Sequence, residues 1–471
     1  MPIFRPGPFL LVAAVLLASF VDIRATEPRR PEGKATYCIT DYGASADPQV
    51  HSTAAIQRAI DAAHAAGGGT VFFPPGKYLS GTLELKSGVR LELEAGSVLL
   101  ASRQADAYRT LGVVQAPVLI RGDKAHDIAI TGRGIIDGQA EQVWGDLGAT
   151  DGFIARETAI ARQAGLPMKR AFTVKPNPCL VFLSDCENVL LADASFLNAG
   201  FWSIHLGTCR RVTVRGVRIE SSLEMGVNAD GLDIDSCSDV RVSGCTISTG
   251  DDAICLKTTR QAGGRPCEDV VITGCTLVST SCALKLGTES HGDFRRIIFS
   301  DCIIRNSNRG IGIFVRDGAA VSDVLFANLV IECRRKHFNW WGDGDPLRFV
   351  VLKRTPESRL GSIRNVTVTN VMARGQGTSL IAGFENEGGI GNITLRAVQL
   401  TLEAEGTADK RATYGLILRD LQDVTLDDVR VAWDSARGIE AQWAGALLTE
   451  RVTDLQKREC RLPAPPVGKK E

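Results

Sequence analysis

A polar pair followed by an apolar-x-apolar run recurs along this chain. It reads Glu187-Asn188-Val189-Leu190-Leu191, Arg210-Arg211-Val212-Thr213-Val214 and Ser238-Asp239-Val240-Arg241-Val242. It returns at Glu268-Asp269-Val270, Arg295-Arg296-Ile297 and Ser322-Asp323-Val324, with later copies at Val366, Ile393 and Val424 and an early one at Ile128. From Val189 onward the steps are mostly 23 to 31 residues, with one longer step between Val324 and Val366. Period-two alternation specifies a strand with one buried face, and a fixed step of this length means a solenoid or an array. The leucine-asparagine signature of leucine-rich repeats is missing, and the unit is too short for a four-stranded propeller blade. The pattern predicts an all-β fold, a right-handed parallel β-helix.

A solenoid needs its open ends covered. Ile56, Ala59, Ile60 and Ala63 follow helical spacing within residues 53–66, with Ser52 or Thr53 as N-cap and Gly67 as the stop. This predicts an N-terminal capping helix. Residues 139–175 interrupt the repeat in an excursion containing Trp144, which reads as a wall over the coil face. The domain plan is a signal peptide over 1–25, one β-helix catalytic domain over 26–460 and a disordered tail over 461–471. The signal rests on Arg5 ahead of the apolar run Phe9–Ala18 and on Ala25 as a cleavage position. That run is too short to span a bilayer comfortably. The expectation is a secreted or periplasmic protein, free of the membrane once the signal is removed.

Composition narrows the partners. Lys and Arg number 54, as do Asp and Glu; no basic patch argues for nucleic acid, and no acidic tail appears. Thirteen cysteines in an exported chain usually signal disulfides. Here Cys186, Cys209, Cys237 and Cys267 each stand three residues before a repeat valine, and Cys245, Cys275 and Cys302 each stand five residues after that apolar position. Recurrence at one coil position reads as inward ladders of small apolar side chains. No paired C-x-x-C or suitably spaced histidines suggest zinc, and no cofactor or metal is expected.

Two acidic motifs carry the chemistry. Asn228-Ala229-Asp230 and Gly250-Asp251-Asp252 place Asp230 and Asp251 21 residues apart, a plausible single coil. Strands paired side by side lie about 4.8 Å apart, so three carboxylates would crowd onto one patch. Crowding makes at least one keep its proton to a higher pH than it would alone, and one proton donor beside one ionised base is what glycosidic hydrolysis requires. In a regular strand Asp251 and Asp252 would face opposite sides; a bend at Gly250 would bring both to the outer face.

The sequence resembles glycoside hydrolase family 28, the polygalacturonase and rhamnogalacturonan hydrolase group, over roughly residues 38–430. The resemblance runs through Asp41-Tyr42-Gly43-Ala44, Gly67–Val71, Phe73–Gly76, Gly134–Gln139 and Phe201-Trp202-Ser203-Ile204-His205. It is most specific at Asn228–Gly231 and Gly250–Ile254. It implies that Asp251 is the general acid, that Asp230 and Asp252 position and deprotonate water, and that the reaction inverts the anomeric centre. Two departures matter. The family's Gly-His-Gly motif corresponds to Ser281-Cys282-Ala283, so Cys282 stands for the histidine. Its Arg-Ile-Lys motif corresponds to Gly312-Ile313-Phe314, which removes two cations suited to a uronate carboxylate.

These departures direct the expected substrate away from plain homogalacturonan and toward a rhamnogalacturonan-type pectic polysaccharide or oligosaccharide, cut by a monomer. Candidate substrate contacts are Asn228, Lys257, Lys285, Glu289, His291 and Arg316, with Trp340 and Trp341 as a stacking face; His205 reads as coil packing. A polygalacturonase with rearranged subsites, a β-helix polysaccharide lyase and a non-catalytic carbohydrate-binding β-helix are the competing readings.

Overall fold

The computed structural model describes residues 35–109, 117–142, 152–163, 165, 176–336, 342–405, 410–434 and 442–466. Its strands pair parallel throughout and stack into three ladders, so that each coil has three sides. The coil is right-handed, the hand that parallel strand–crossover–strand connections take.

The repeat seen in the sequence is one of these ladders. Ile128 pairs with Val189, Val189 with Val212, Val212 with Val240, Val240 with Val270 and Val270 with Ile297. The register continues through Val324, Val366, Ile393 and Val424 to Leu455. Its polar pair has a backbone cause. The residue just before each anchor, including Asp127, Asn188, Asp239, Asp269, Asp323, Asn365 and Asn392, has φ between 53° and 57°. Asn and Asp tolerate this left-handed conformation better than other non-glycine residues, so the turn selects them coil after coil.

The inward cysteines are buried as their recurrence implied, and all thirteen are free thiols; only Cys38 and Cys460 are partly exposed. Further along, Phe299, Phe326 and Phe349 stack at 4.8 and 5.7 Å between centroids.

Helix Thr53–Ala65 lies against the first coil with Ala55, Ile56, Ala59, Ile60 and Ala63 buried. Neither expected hydroxyl caps it. Ser52 Oγ is engaged with the backbone of Ser45, and Thr53 Oγ1 accepts the Gly81 N–H at 2.8 Å. Both tie the helix to neighbouring segments instead. A second helix, Gly152–Gln163, stands in the excursion where no helix was anticipated. Its Ala-Arg-Glu-rich run contains no proline, and Gly165 follows with φ of 66°. Trp144, Trp340, Trp341 and the expected signal peptide lie outside the described residues. In the stretch read as a tail, Arg461 pairs with Arg430 and Pro463 O accepts the Trp433 Nε1–H at 3.3 Å. Among the described residues no helix is long and apolar enough to cross a membrane.

Candidate active site

The third ladder carries the site. Its strands include Cys179–Ser184, Ile204–Gly207, Leu232–Asp235, Ile254–Thr258, Cys282–Ser290 and Arg309–Val315, each paired with the next. Asp230 lies in the turn entering Leu232–Asp235, and Asp251 and Asp252 lie in the turn entering Ile254–Thr258. Leu232 pairs with Ile254, so the two turns stack on adjacent coils. One carboxylate oxygen from each aspartate lies within 4.8 Å of the other two. All three side chains are buried.

Leaving the strand frees Asp251 and Asp252 from strand alternation. Gly250 serves close approach rather than a special φ: a Cβ there would stand 2.2 Å from Ser222 O and 2.6 Å from Gly226 O. Buried hydroxyls hold the turn. Ser221 Oγ accepts the Gly250 N–H at 3.0 Å, Thr280 Oγ1 donates to Gly250 O at 2.6 Å and Ser279 Oγ donates to Asp251 O at 2.7 Å. Asp251 accepts N–H bonds from Asn228 at 3.0 Å and from its neighbour Asp252 at 2.9 Å, which fixes its plane. Asn228 contributes through its backbone, at φ of 60°.

Two of the three carboxylates are shifted in opposite directions. Burial, with the nearby charges of Asp233 and Asp251, holds Asp230 well above the usual carboxylate range. Burial also pushes Asp252 up, but the ammonium groups of Lys285 and Lys257 and the hydrogen bonds it accepts outweigh this and leave it below that range. Its donors are Lys285 Nζ at 2.5 Å, Ser281 Oγ at 2.8 Å and Cys282 N at 3.2 Å. One acid of the cluster is thus disposed to keep a proton while another stays ionised, with burial contributing more than the crowding of charges.

Lys257 is the hub of the remaining charge. Its Nζ lies 3.4 Å from Asp230, 3.4 Å from Asp233 and 3.5 Å from Glu289, and 4.6 Å above the Trp202 ring. Its side chain is 4% exposed. Asp233 is fully buried and, although near Lys257, receives no hydrogen bond. Burial carries it to about 6 against the pull of Lys257 and His205. Asp235 accepts Thr259 N at 2.9 Å and Thr259 Oγ1 at 2.6 Å, and lies 3.3 Å from His205 Nε2. The His205 ring packs against Phe182 and Trp202 at 4.8 and 4.9 Å.

Sequence reasoning named Asp230, Asp251, Asp252, Asn228, Lys257, Lys285 and Glu289, and the structure brings these together. His291 pairs with Asp317 at 3.7 Å instead, and Arg316 stands beside that pair. Asp233, Asp235, Trp202 and Ser281 were missed. The signal for the first two was Leu232-Asp233-Ile234-Asp235, whose acids pair in register with Cys255 and Lys257 of the next coil. Cys282 does not stand in for a histidine side chain: it is buried, with its Sγ turned to Leu284 O at 3.3 Å. Gly312 and Phe314 form one unit. A Cβ on Gly312 would meet the Phe314 ring at 2.6 Å. The ring is flanked by the Arg309 guanidinium at 4.9 Å and Lys285 Nζ at 5.7 Å.

A parallel β-helix with three carboxylates gathered from two stacked turns, two of them shifted in opposite directions, defines a class of protein suited to acid–base chemistry. Residues 69–335, more than half of the chain, match Glycosyl hydrolases family 28, and the chain belongs to that family. It is similar to a "Probable polygalacturonase" of Vitis vinifera, 27% identical over 330 residues that cover 65% of this chain and 62% of that protein. It is 30% identical to an "Exo-poly-alpha-D-galacturonosidase" of Dickeya chrysanthemi over 250 residues, 46% of this chain and 41% of the other. The chain thus spans less than two thirds of the length of each of these two relatives. The fold is shared with the exopolygalacturonase of Thermotoga maritima, with a TM-score of 0.68 at 21% identity over 84% of this chain and 92% of that one.

Proposed function

We propose that this chain is an exported inverting glycosidase that cuts pectic polysaccharide or oligosaccharide, and prefers a rhamnogalacturonan-type backbone to homogalacturonan. The observation that carries the hydrolytic part is the cluster of Asp230, Asp251 and Asp252 with its divided protonation. A water about 2.8 Å from each of two carboxylate oxygens can bridge oxygens up to about 5.6 Å apart. Asp230 and Asp252 therefore suit a shared water, with Asp251 left to face the leaving oxygen. The proton belongs to the cluster rather than to one residue; Asp230 is the member disposed to keep it, and Asp251 is within reach to relay it. Two carboxylates this close would by themselves suit a retaining enzyme. The third is what supports inversion, and the anomer first released, followed by proton NMR, decides the matter.

Substrate preference rests on Gly312 and Phe314. Where two cations would hold a carboxylate, there is an aromatic ring over a glycine, a surface suited to the methyl group of a deoxysugar. A lost charged hydrogen bond is worth roughly 1.5–3 kcal/mol, so losing two would lower efficiency on homogalacturonan by several orders of magnitude. The test compares kcat/KM on polygalacturonate and on a rhamnose-containing pectic fragment, for the wild type and Asp251→Asn. The fragment is expected to be the better substrate, and the variant to lose about 10²–10⁴-fold on it. Equal efficiency on polygalacturonate would return the reading to a polygalacturonase, and an active variant would remove Asp251 from the mechanism.

A further inference from the structure

Arg316 is a half-buried cation whose neighbouring acids, Asp317 and Glu289, pair with other cations. It follows the strand Arg309–Val315, and its backbone N–H and that of Asp317 both donate to Ser290 Oγ, at 2.8 and 3.0 Å, so the segment is pinned. Its guanidinium is half-buried, yet makes no hydrogen bond or ion pair among the described residues, and its Nε is sealed from solvent with no acceptor. The acids around it are already engaged. Asp317 accepts Arg354 Nε at 2.6 Å, Arg354 Nη2 at 2.9 Å and Ser290 N at 3.0 Å. Glu289 lies between Lys257 at 3.5 Å and Arg354 at 3.8 Å. Burial, then repulsion from the Arg354 charge, disfavour the Arg316 cation more than the nearby Asp317 and Glu289 favour it. A guanidinium half withdrawn from water and set beside another gains from an anion that completes the site.

We propose that Arg316 receives the carboxylate of a uronate residue of the bound polymer. A planar guanidinium fork matches a carboxylate in two parallel hydrogen bonds, which a single ammonium cannot do. The place is close to the chemistry: Asp230, Lys257 and Glu289 form a continuous chain of contacts to its neighbourhood. Two residues before it, Phe314 offers an aromatic ring edged by Arg309 of the same strand and by Lys285 of the preceding coil. One strand end thus presents an aromatic ring and then a cation without an ion pair among the described residues, which fits a backbone carrying both a deoxysugar and a uronate. The inference rests on the pectic reading above and assigns where the acidic residue of that substrate sits.

The test measures equilibrium binding by calorimetry, in the Asp251→Asn background to prevent turnover. The ligands are a tetrasaccharide of alternating rhamnose and galacturonate and the same compound with its carboxyls methyl-esterified. Arg316-containing protein should prefer the acid form, and Arg316→Gln should lose roughly 10- to 100-fold of affinity for the acid while keeping its affinity for the ester. Arg316→Lys should recover part of that loss. A general fold defect would weaken both ligands together and leave the preference intact, so the ratio separates the two causes. No acid preference in the parent, or an unchanged preference in Arg316→Gln, overturns the inference. Failure of the active wild type to hydrolyse any pectic oligosaccharide would overturn the functional reading instead, and leaves the binding ratio to be judged separately.

Discussion

Lys285 occupies a pivotal position at the residue scale, because its ammonium stands 2.5 Å from Asp252 and 5.7 Å from the Phe314 ring centroid. Asp252 is buried, and burial alone would raise its pKa; the positive charges of Lys285 and Lys257 reverse the sign. If Asp252 works as the base, it acts only while ionised, so its depressed pKa extends activity toward acid. Removing the nearer charge raises that pKa and moves the acid limb of the pH–rate profile upward, by about 1–3 units for one close opposite charge. Lys285→Met should therefore lose most activity at acid pH and least near neutrality, whereas Lys285→Arg should hold the limb in place. Measuring kcat/KM from pH 3 to 8 for the three proteins checks this. A limb that stays put in Lys285→Met would show that Asp252 does not titrate as the working base.

At the scale of the element, the turn Gly250–Asp252 is shaped by backbone approach. An alanine at 250 would drive its Cβ against Ser222 O and Gly226 O, neither of which is a flexible side-chain end. Overpacking of this kind typically costs about 1–3 kcal/mol, and the displacement would fall on the two aspartates that follow. Gly250→Ala should show both a lowered unfolding midpoint and a large fall in kcat; full activity would mean that the turn yields without moving the carboxylates. This element also marks how far the sequence could be read. The anchors from Ile128 to Val424 were legible because every coil must bury one apolar-x-apolar run, and their polar pairs because every coil needs a left-handed turn residue. The triad was legible because its two motifs lie one coil apart. Asp233 and Asp235 were not: Leu232-Asp233-Ile234-Asp235 has the alternation of any half-exposed strand, and nothing in that pattern reveals that its outward face is buried beside Lys257. The isolation of Arg316 was equally hidden, since it depends on Arg354, 38 residues later, claiming Asp317.

For the molecule as a whole, each coil of a solenoid is held by its neighbours alone, so stability depends on what fills the interior at each step. Cys186, Cys209 and Cys237 occupy one turn and Cys245, Cys275 and Cys302 another, all nearly inaccessible. Their thiols are used as small core groups. Cys209 Sγ donates to Leu183 O at 3.4 Å, Cys237 Sγ to Leu206 O at 3.2 Å and Cys302 Sγ to Ser300 O at 3.1 Å. Burial, aided by the nearby Cys267 and Asp235, holds Cys237 above the ordinary thiol range against the hydrogen bonding of Cys209, which keeps its reactive thiolate scarce. Neighbouring coils are nonetheless close enough for a disulfide, since strand spacing of about 4.8 Å falls within the Cα separation such a bond accepts. The two states differ measurably. A cross-link closing a loop of coil length would stabilise the fold by roughly 3–4 kcal/mol, which reduction would remove. Free thiols contribute through packing, which a reductant does not touch. The protein should therefore unfold at the same midpoint with and without dithiothreitol, and should titrate thirteen thiols in denaturant but few in the native state. A midpoint that drops on reduction, together with a denatured count below thirteen, would show that the ladders are cross-linked and that oxidation helps to hold the coils together.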